Sequence, residues 1–220
     1  MPMHASARET PVDCPKRHPG ADRTQVLRAA ALQFALKGLR GTTMRTLAEA
    51  VGVSESTLYI QFNNKECLFR EIVRDNIKNR LDLLEARTSS AVYESEPDAI
   101  RGIAEATVTV CVAGVGSSIL MNWALLEDPE YSAELYRNEM GSVEIVWDRA
   151  LAERIPDPDS RRILSVHLVP YAVSSCLAYG FWLATLRHDA ESAAGLAQGF
   201  ATGIAQAAST LLAEARSVAS

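Results

Sequence analysis

The polar side chains Thr43, Arg45, Ser54, Glu55, Ser56, Thr57, Tyr59, Gln61 and Lys65 all fall within one stretch, Thr42 to Lys65, reading TTMRTLAEAVGVSESTLYIQFNNK. Hydroxyl, amide, guanidinium and ammonium groups at this density suit recognition by hydrogen bonds and charge. Short, anchored helices are needed to aim them. Thr42 or Thr43 caps the first, whose apolar Leu47, Ala48 and Val51 fall at helical spacing, and Gly52 lets the chain leave it with a positive φ. Gly52 and Val53 form the turn. Ser54 then caps a second helix that presents Glu55, Ser56, Thr57, Tyr59 and Gln61 outward while Leu58 and Phe62 turn inward. This is the grammar of a helix-turn-helix, in which the second helix lies in a DNA major groove and the first crosses the backbone. The bare pattern also fits a surface hairpin inside any helical protein.

The order of residues from Gly38 to Leu68 narrows that choice. Gly41, Thr42 and Thr43, then Leu47, Ala48, Val51, Gly52, Val53 and Ser54, then Thr57, Leu58, Tyr59, Phe62, Lys65, Glu66 and Leu68 closely resemble the DNA-binding domain of the TetR/AcrR family of transcriptional regulators. That family's pattern runs from a glycine and paired threonines through A-x-x-x-G-V-S to T-L-Y-x-x-F-x-x-K-E-x-L. The resemblance covers the N-terminal third alone. It implies that Thr43, Thr57, Tyr59 and Lys65 hold phosphates while Arg45, Glu55 and Ser56 reach bases. Physical chemistry supports part of this. Lys65, in the first turn of the following helix, would share one anion site with free backbone N–H groups, and the Arg45 fork suits guanine. Glu55 would accept from a cytosine amino group. Glu55 and Ser56 depart from the common pattern, which often has glycine at position 56, and Gln61 stands where histidine or another ring is frequent, so the operator sequence stays open.

Length and composition bound the rest. With 220 residues, 48% hydrophobic but 6% aromatic, the chain suits an all-α fold of two domains: a disordered arm (1–21), a three-helix helix-turn-helix domain (22–69) and a larger helical ligand-binding and dimerisation domain (70–220). The net charge of −5 conceals a split. Residues 1–69 hold nine Lys and Arg against six Asp and Glu, and residues 70–220 hold thirteen against twenty-one, a mildly basic head on an acidic body. No uninterrupted apolar run and no basic-then-apolar leader is present, so a cytoplasmic protein without a membrane span is expected. Cys14, Cys67, Cys111 and Cys176 are scattered and read as reduced structural thiols. In the arm, Lys16, Arg17 and His18 read as a solvated tail, with minor-groove contact as the alternative.

A first helix from Arg23 to Lys37, capped by Asp22, supplies Val26, Leu27, Ala30, Phe34 and Ala35 to a small core with Leu47, Val53, Leu58 and Phe62. A long helix from Lys65 to about Arg87, roughly 34 Å at the standard rise, joins head to body as a lever. Beyond a polar break at Thr88 to Pro97 come helices over 98–115, 117–126 and 129–155, then two apolar ones over 159–187 and 190–217, the former bent at Pro170. The last carries Gly195, Gly199 and Gly203 four apart, each costing about 1 kcal/mol against alanine. With Leu196, Phe200, Ile204 and Leu211 they suggest close helix approach, and dimerisation through the last two helices is expected. The family resemblance implies the same.

Cys111, Met121, Trp123, Tyr136, Met140, Trp147, His167, Tyr171, Ser175 and Trp182 concentrate adaptable and aromatic groups in the body. Residues 167, 171, 175, 178 and 182 form one helical stripe. A pocket is apolar with few polar groups, which describes this set. Singly, each reads as packed core; together they favour a cavity, chiefly because the resemblance implies one. His167 has no second ligand at metal spacing, so neither a metal nor a cofactor is expected. The expected function is therefore a dimeric transcriptional repressor that reads a near-palindromic operator and is released by a small apolar or aromatic effector. The alternatives are a constitutive or architectural DNA-binding dimer without a ligand, and an enzyme with a helical body. The last finds no phosphate loop, nucleophile elbow, HExxH or paired carboxylates in this sequence.

Overall fold

The computed structural model describes residues 22–113, 115–186 and 190–219. Among these the regular structure is entirely helical: α1 (Arg23–Lys37), α2 (Met44–Val51), α3 (Glu55–Phe62), α4 (Lys65–Ser89), α5 (Glu96–Ala113), α6 (Val115–Glu127), α7 (Pro129–Leu151), α8 (Pro158–Leu186) and α9 (Ala190–Ala219). The N-terminal arm, with Lys16, Arg17 and His18, lies outside the described residues. Two compact units divide the chain, Met1–Ile72 and Val73–Ser220.

The first unit is organised by a core of Val26, Ala30, Phe34, Leu47, Leu58, Phe62, Leu68, Phe69 and Ile72, all buried. Phe34 and Phe69 meet edge to face, with centroids 5.2 Å apart, an arrangement favoured by the ring quadrupoles. Val53 is only half-buried, because it sits in the turn rather than on a helix face. Local chemistry starts each helix: Asp22 accepts from the Thr24 N–H to open α1, and Asn64 accepts from the Cys67 N–H to open α4.

Within the second unit α5 packs along α9 and against α7 and α8, while α6 rests on α7 and α8. Trp147 of α7 is fully buried, and its indole N–H donates to Thr107 Oγ1 of α5 at 3.0 Å. The inward stripe of α8 is Leu164, Leu168, Val169, Ala172 and Val173. Pro170 lies inside α8. It removes the hydrogen bond to the carbonyl of Val166, which is on an exposed side of the helix, so solvent can compensate. Several boundaries differ from the periodicity, three of them for identifiable reasons. Helix α4 runs to Ser89 because the buried Thr88 hydroxyl donates to the Leu84 carbonyl. Helix α5 opens at Glu96, ahead of Pro97, since proline is tolerated in a first turn. Helix α7 ends at Leu151, and Ile155 is buried from the turn that follows.

Candidate nucleic-acid interface

Helices α2 and α3 are held in register by caps and a turn whose hydrogen bonds span five residues or fewer. Thr43 closes a capping box: its Oγ1 accepts from the Thr46 N–H and its own N–H donates to Thr46 Oγ1. Thr42 is the buried partner instead, donating to the Gly38 carbonyl at 2.7 Å. Preceding it, Gly41 leaves no room for a side chain, since a Cβ would stand 2.2 Å from the Lys37 carbonyl oxygen. Gly52 ends α2 at φ 78° and ψ 31°, the left-handed conformation, and donates to the Ala48 carbonyl. Ser54 then caps α3 through the Thr57 N–H. Its hydroxyl also lies 2.8 Å from Ser56 Oγ and 2.7 Å from Thr57 Oγ1.

This scaffold leaves Thr43, Arg45, Ser54, Glu55, Ser56 and Tyr59 exposed, with Thr57 half-buried. They share α2, the turn and α3, a short stretch that carries exposed hydroxyl, carboxylate, phenol and guanidinium groups. Arg45 Nε donates to Glu49 Oε1 at 3.1 Å, with the Arg45 side chain 80% exposed. An i,i+4 pair this open stabilises by only a few tenths of a kcal/mol, so Arg45 can leave it for a base edge or a phosphate at little cost.

Two candidates are placed otherwise than expected. Gln61 is 3% exposed and does not belong to the outward face. Helix α3 turns it inward beside Phe62, because 61 and 58 share one side of the helix at three-residue spacing. Lys65 is half-buried, and its ammonium donates to the Leu39 and Thr42 carbonyls at 2.9 and 3.1 Å. In this arrangement it secures the loop entering α2 instead of standing open in the first turn of α4.

Arg23 is a positioning residue that spacing alone did not reveal. Its guanidinium donates twice to the Glu71 carboxylate of α4 and lies 4.4 Å from the centroid of the Phe62 ring at the end of α3. Partners 39 and 48 residues away leave no periodic trace. Lys37 and Arg40 add exposed positive charge beside the loop into α2; the signal for them was their nearness to Gly41.

The body candidates separate into groups. Cys111, Met121, Met140 and Trp147 are buried, and Trp123 and Tyr136 half-buried, with the Tyr136 hydroxyl 2.6 Å from Ser174 Oγ. His167 and Tyr171 are exposed, a correction to the expected inward stripe. Leu164, Leu168 and Ala172 claim the inward side of α8, and Tyr171 instead stacks on Phe200 of α9. The side chains of Ser175 and Trp182 lie outside the described residues. Two recesses open on the described surface. One of about 330 Å³ lies between the α4–α5 connection and the end of α7, and one of about 390 Å³ between the start of α5 and α9; neither is lined by any of the ten candidates.

Of the residues expected at a dimer interface, Gly195, Gly199 and Gly203 are exposed, and a Cβ on any of them would meet nothing within 4 Å. Among the described residues nothing approaches these glycines closely. Phe200 and Leu211 are half-buried, the Leu196 side chain lies outside the described residues, and Ile204 is fully buried. The protomer's own core thus takes Ile204. Among the described residues no group of His, Cys, Asp and Glu is placed to hold a metal ion, and no helix is long and apolar enough to cross a membrane.

Comparison with known proteins places this geometry. Residues 26–72 match the family described as bacterial regulatory proteins, tetR family. The HTH-type transcriptional repressor KstR2 of Mycolicibacterium smegmatis is 39% identical over 57 residues, 26% of this chain and 28% of that protein. KstR2 of Rhodococcus jostii is 46% identical over 52 residues, 24% of this chain and 26% of its own length. These alignments thus span less than a third of the relatives. Solved structures extend the likeness of fold. A TetR-family regulator from Mesorhizobium loti superposes with a TM-score of 0.63 at 19% identity, covering 84% of this chain and 93% of that one. Salmonella enterica GusR gives 0.61 at 22% identity, covering 86% and 94%. These are families of regulators and not of enzymes. The N-terminal helix-turn-helix region, residues 26–72, is thus similar to the DNA-binding domain of the tetR family of bacterial regulatory proteins.

Proposed function

We propose that this protein is a cytoplasmic transcriptional repressor that binds a near-palindromic operator as a homodimer and leaves it when the body takes up a small effector. The observation that carries the reading is the exposed polar face across α2, the turn and the first turns of α3, held by the Thr43 and Ser54 caps. Arg45, Glu55 and Ser56 read base edges, while Thr43, Thr57 and Tyr59 hold phosphates. The relatives that share this domain are named repressors, which favours repression over activation. The open glycine face of α9, continuous with Phe200 and the exposed Tyr171 of α8, supports dimerisation there.

Two heads in such a dimer read half-sites about 34–36 Å apart. An effector that binds one head separation better than the other shifts the pair by its differential affinity alone, and a coupling of about 1–3 kcal/mol changes DNA affinity about five- to 150-fold. Selection of bound sequences from a random duplex pool tests the proposal. Enrichment of a two-fold symmetric site supports it, whereas no enrichment at low and moderate salt refutes it. On the selected site, Arg45→Ala is expected to relax preference at one base position; an equal loss on specific and random duplexes removes Arg45 from the base readers.

A further inference from the structure

The inward face of α4 in the second unit consists of Val73, Arg80, Leu84 and Thr88, all buried. Arg80 stands out among them. Its side chain is 8% exposed and meets Glu139 of α7, 4% exposed, through one hydrogen bond from Nη2 to Oε1 at 2.5 Å. Around Glu139 the same helix buries Leu135, Met140 and Val143. Three further atoms of the pair, Arg80 Nε, Arg80 Nη1 and Glu139 Oε2, are buried with no hydrogen-bond partner among the described residues.

Stability does not account for such a pair. Desolvating two charges offsets most of their attraction, and apolar residues of similar volume serve as well or better. Each orphaned donor or acceptor adds a further penalty, and buried polar groups are otherwise almost always satisfied. Burial pushes the Glu139 carboxyl up, against the opposing pull of Arg80.

We propose that Arg80 and Glu139 are the polar anchor of the effector site, and that they recognise a planar group with an acceptor beside a donor, the carboxylic acid or primary amide at the end of an apolar molecule. The ligand carbonyl accepts from Arg80, and the N–H of an amide, or the O–H of an acid bound in its protonated form, donates to Glu139 Oε2. Nη1 shares a guanidinium with the bonded Nη2, and Oε2 shares a carboxylate with the bonded Oε1, so an unmet donor and an unmet acceptor belong to one bonded pair. Leu135, Met140 and Val143 suit the apolar remainder. An amine would leave the Arg80 donors unmatched and add a like charge beside them. The inference rests on the effector-responsive reading above.

The test uses the full-length protein in thermal-shift and calorimetric titrations. The probes are carboxylic acids on straight-chain, aromatic and fused-ring bodies, each with its primary amide and its amine. Acids or amides are expected to bind and amines not, and the comparison of those two arms identifies which group the pair reads. Single substitutions strand a buried charge, so the deciding variant is the double replacement Arg80→Met with Glu139→Leu. It is expected to melt at or above wild type while affinity for the best probe falls at least about tenfold. Should that variant not fold, the Arg80 Nε–H resonance of the wild type is followed during titration, and it must shift on binding. Failure of every acid and amide, amines that bind as tightly, a double variant within about twofold of wild type, or an unmoved Arg80 resonance each overturns the proposal. Operator selection on the same preparations separates the two readings. A symmetric site without probe binding removes the anchor alone, and probe binding through Arg80 without any enriched site removes the DNA-binding function alone.

Discussion

Removing Arg23 should loosen the DNA-reading head without touching any residue assigned to DNA. Its Nε and Nη2 donate to Glu71 Oε1 and Oε2 at 2.8 and 2.5 Å, and its guanidinium lies 4.4 Å from the Phe62 centroid. A contact of Nη1 with the Gln61 carbonyl, at 3.5 Å, is too long to count. The side chains are 26% and 30% exposed, so solvent screening holds the bidentate pair to about 1 kcal/mol. The cation–π contact contributes about 0.5–1 kcal/mol. Arg23→Ala is therefore expected to lower head stability by about 1.5–2 kcal/mol, an increase of roughly 10- to 30-fold in opening of α1 and α3. Tryptophan fluorescence is blind to this, since Trp123, Trp147 and Trp182 all lie beyond Ile72. Amide hydrogen exchange read by peptide mass spectrometry is the suitable assay, with α5 and α7 peptides as internal controls. Glu71→Ala should reproduce the pair's share and spare the ring contact, and the double variant should show a coupling near 1 kcal/mol. Exchange in α3 that changes less than about twofold on Arg23→Ala would refute the assignment of Arg23 as the tie among α1, α3 and α4.

Three further outcomes follow from individual contacts. Lys65→Met strands the Leu39 and Thr42 carbonyls and is expected to destabilise the loop before α2 by about 1–2 kcal/mol. The salt dependence of DNA binding should stay unchanged; a slope reduced by about one unit would instead make Lys65 a phosphate ligand. Gly52 sits at φ 78° with open space around it, so Gly52→Ala should cost about 1 kcal/mol through backbone conformation alone and Gly52→Asn less, measured by exchange in α2. Equal costs would point to a packing cause. Asp157 accepts from the Ser160 hydroxyl and N–H, which hold its carboxyl below the ordinary range. Its contribution is present above the unfolded value of about 3.9 and is lost as pH falls through the lower folded one. Asp157→Ala should accordingly flatten the acid limb of the melting profile below about pH 4, and a limb identical to wild type would show that the cap bears no part of it.

Features decided within one helical turn were legible from residue order. The Ser54 cap, the left-handed Gly52, the break at Asp128 and Pro129, and the buried faces of Phe34, Leu47, Leu58 and Phe62 depend on hydrogen bonds or periodicities spanning about four residues. Near misses arose where two local solutions compete. Thr42 and Thr43 both suit a cap, and only packing against Gly38 sends Thr42 inward and leaves Thr43 to close the capping box. Gln61 looked like a groove residue by its polarity, yet α3 is only eight residues long and anchors itself with 58, 61 and 62.

By itself, then, the sequence determined which segments are helical, where the caps and the turn of α2 and α3 fall, and which short stretch exposes a polar set of side chains, because those depend on neighbours along the chain. Tertiary structure alone decided whom the long side chains meet. It sent the Lys65 ammonium to carbonyls more than twenty residues earlier and joined Arg23 to Glu71. It also buried Arg80 against Glu139, turned His167 and Tyr171 outward, and placed Ile204 in the protomer core. The reason is physical. A lysine or arginine reaches many positions with similar local energy, and only the burial of surrounding apolar faces selects which distant carbonyl or carboxylate stands within its reach.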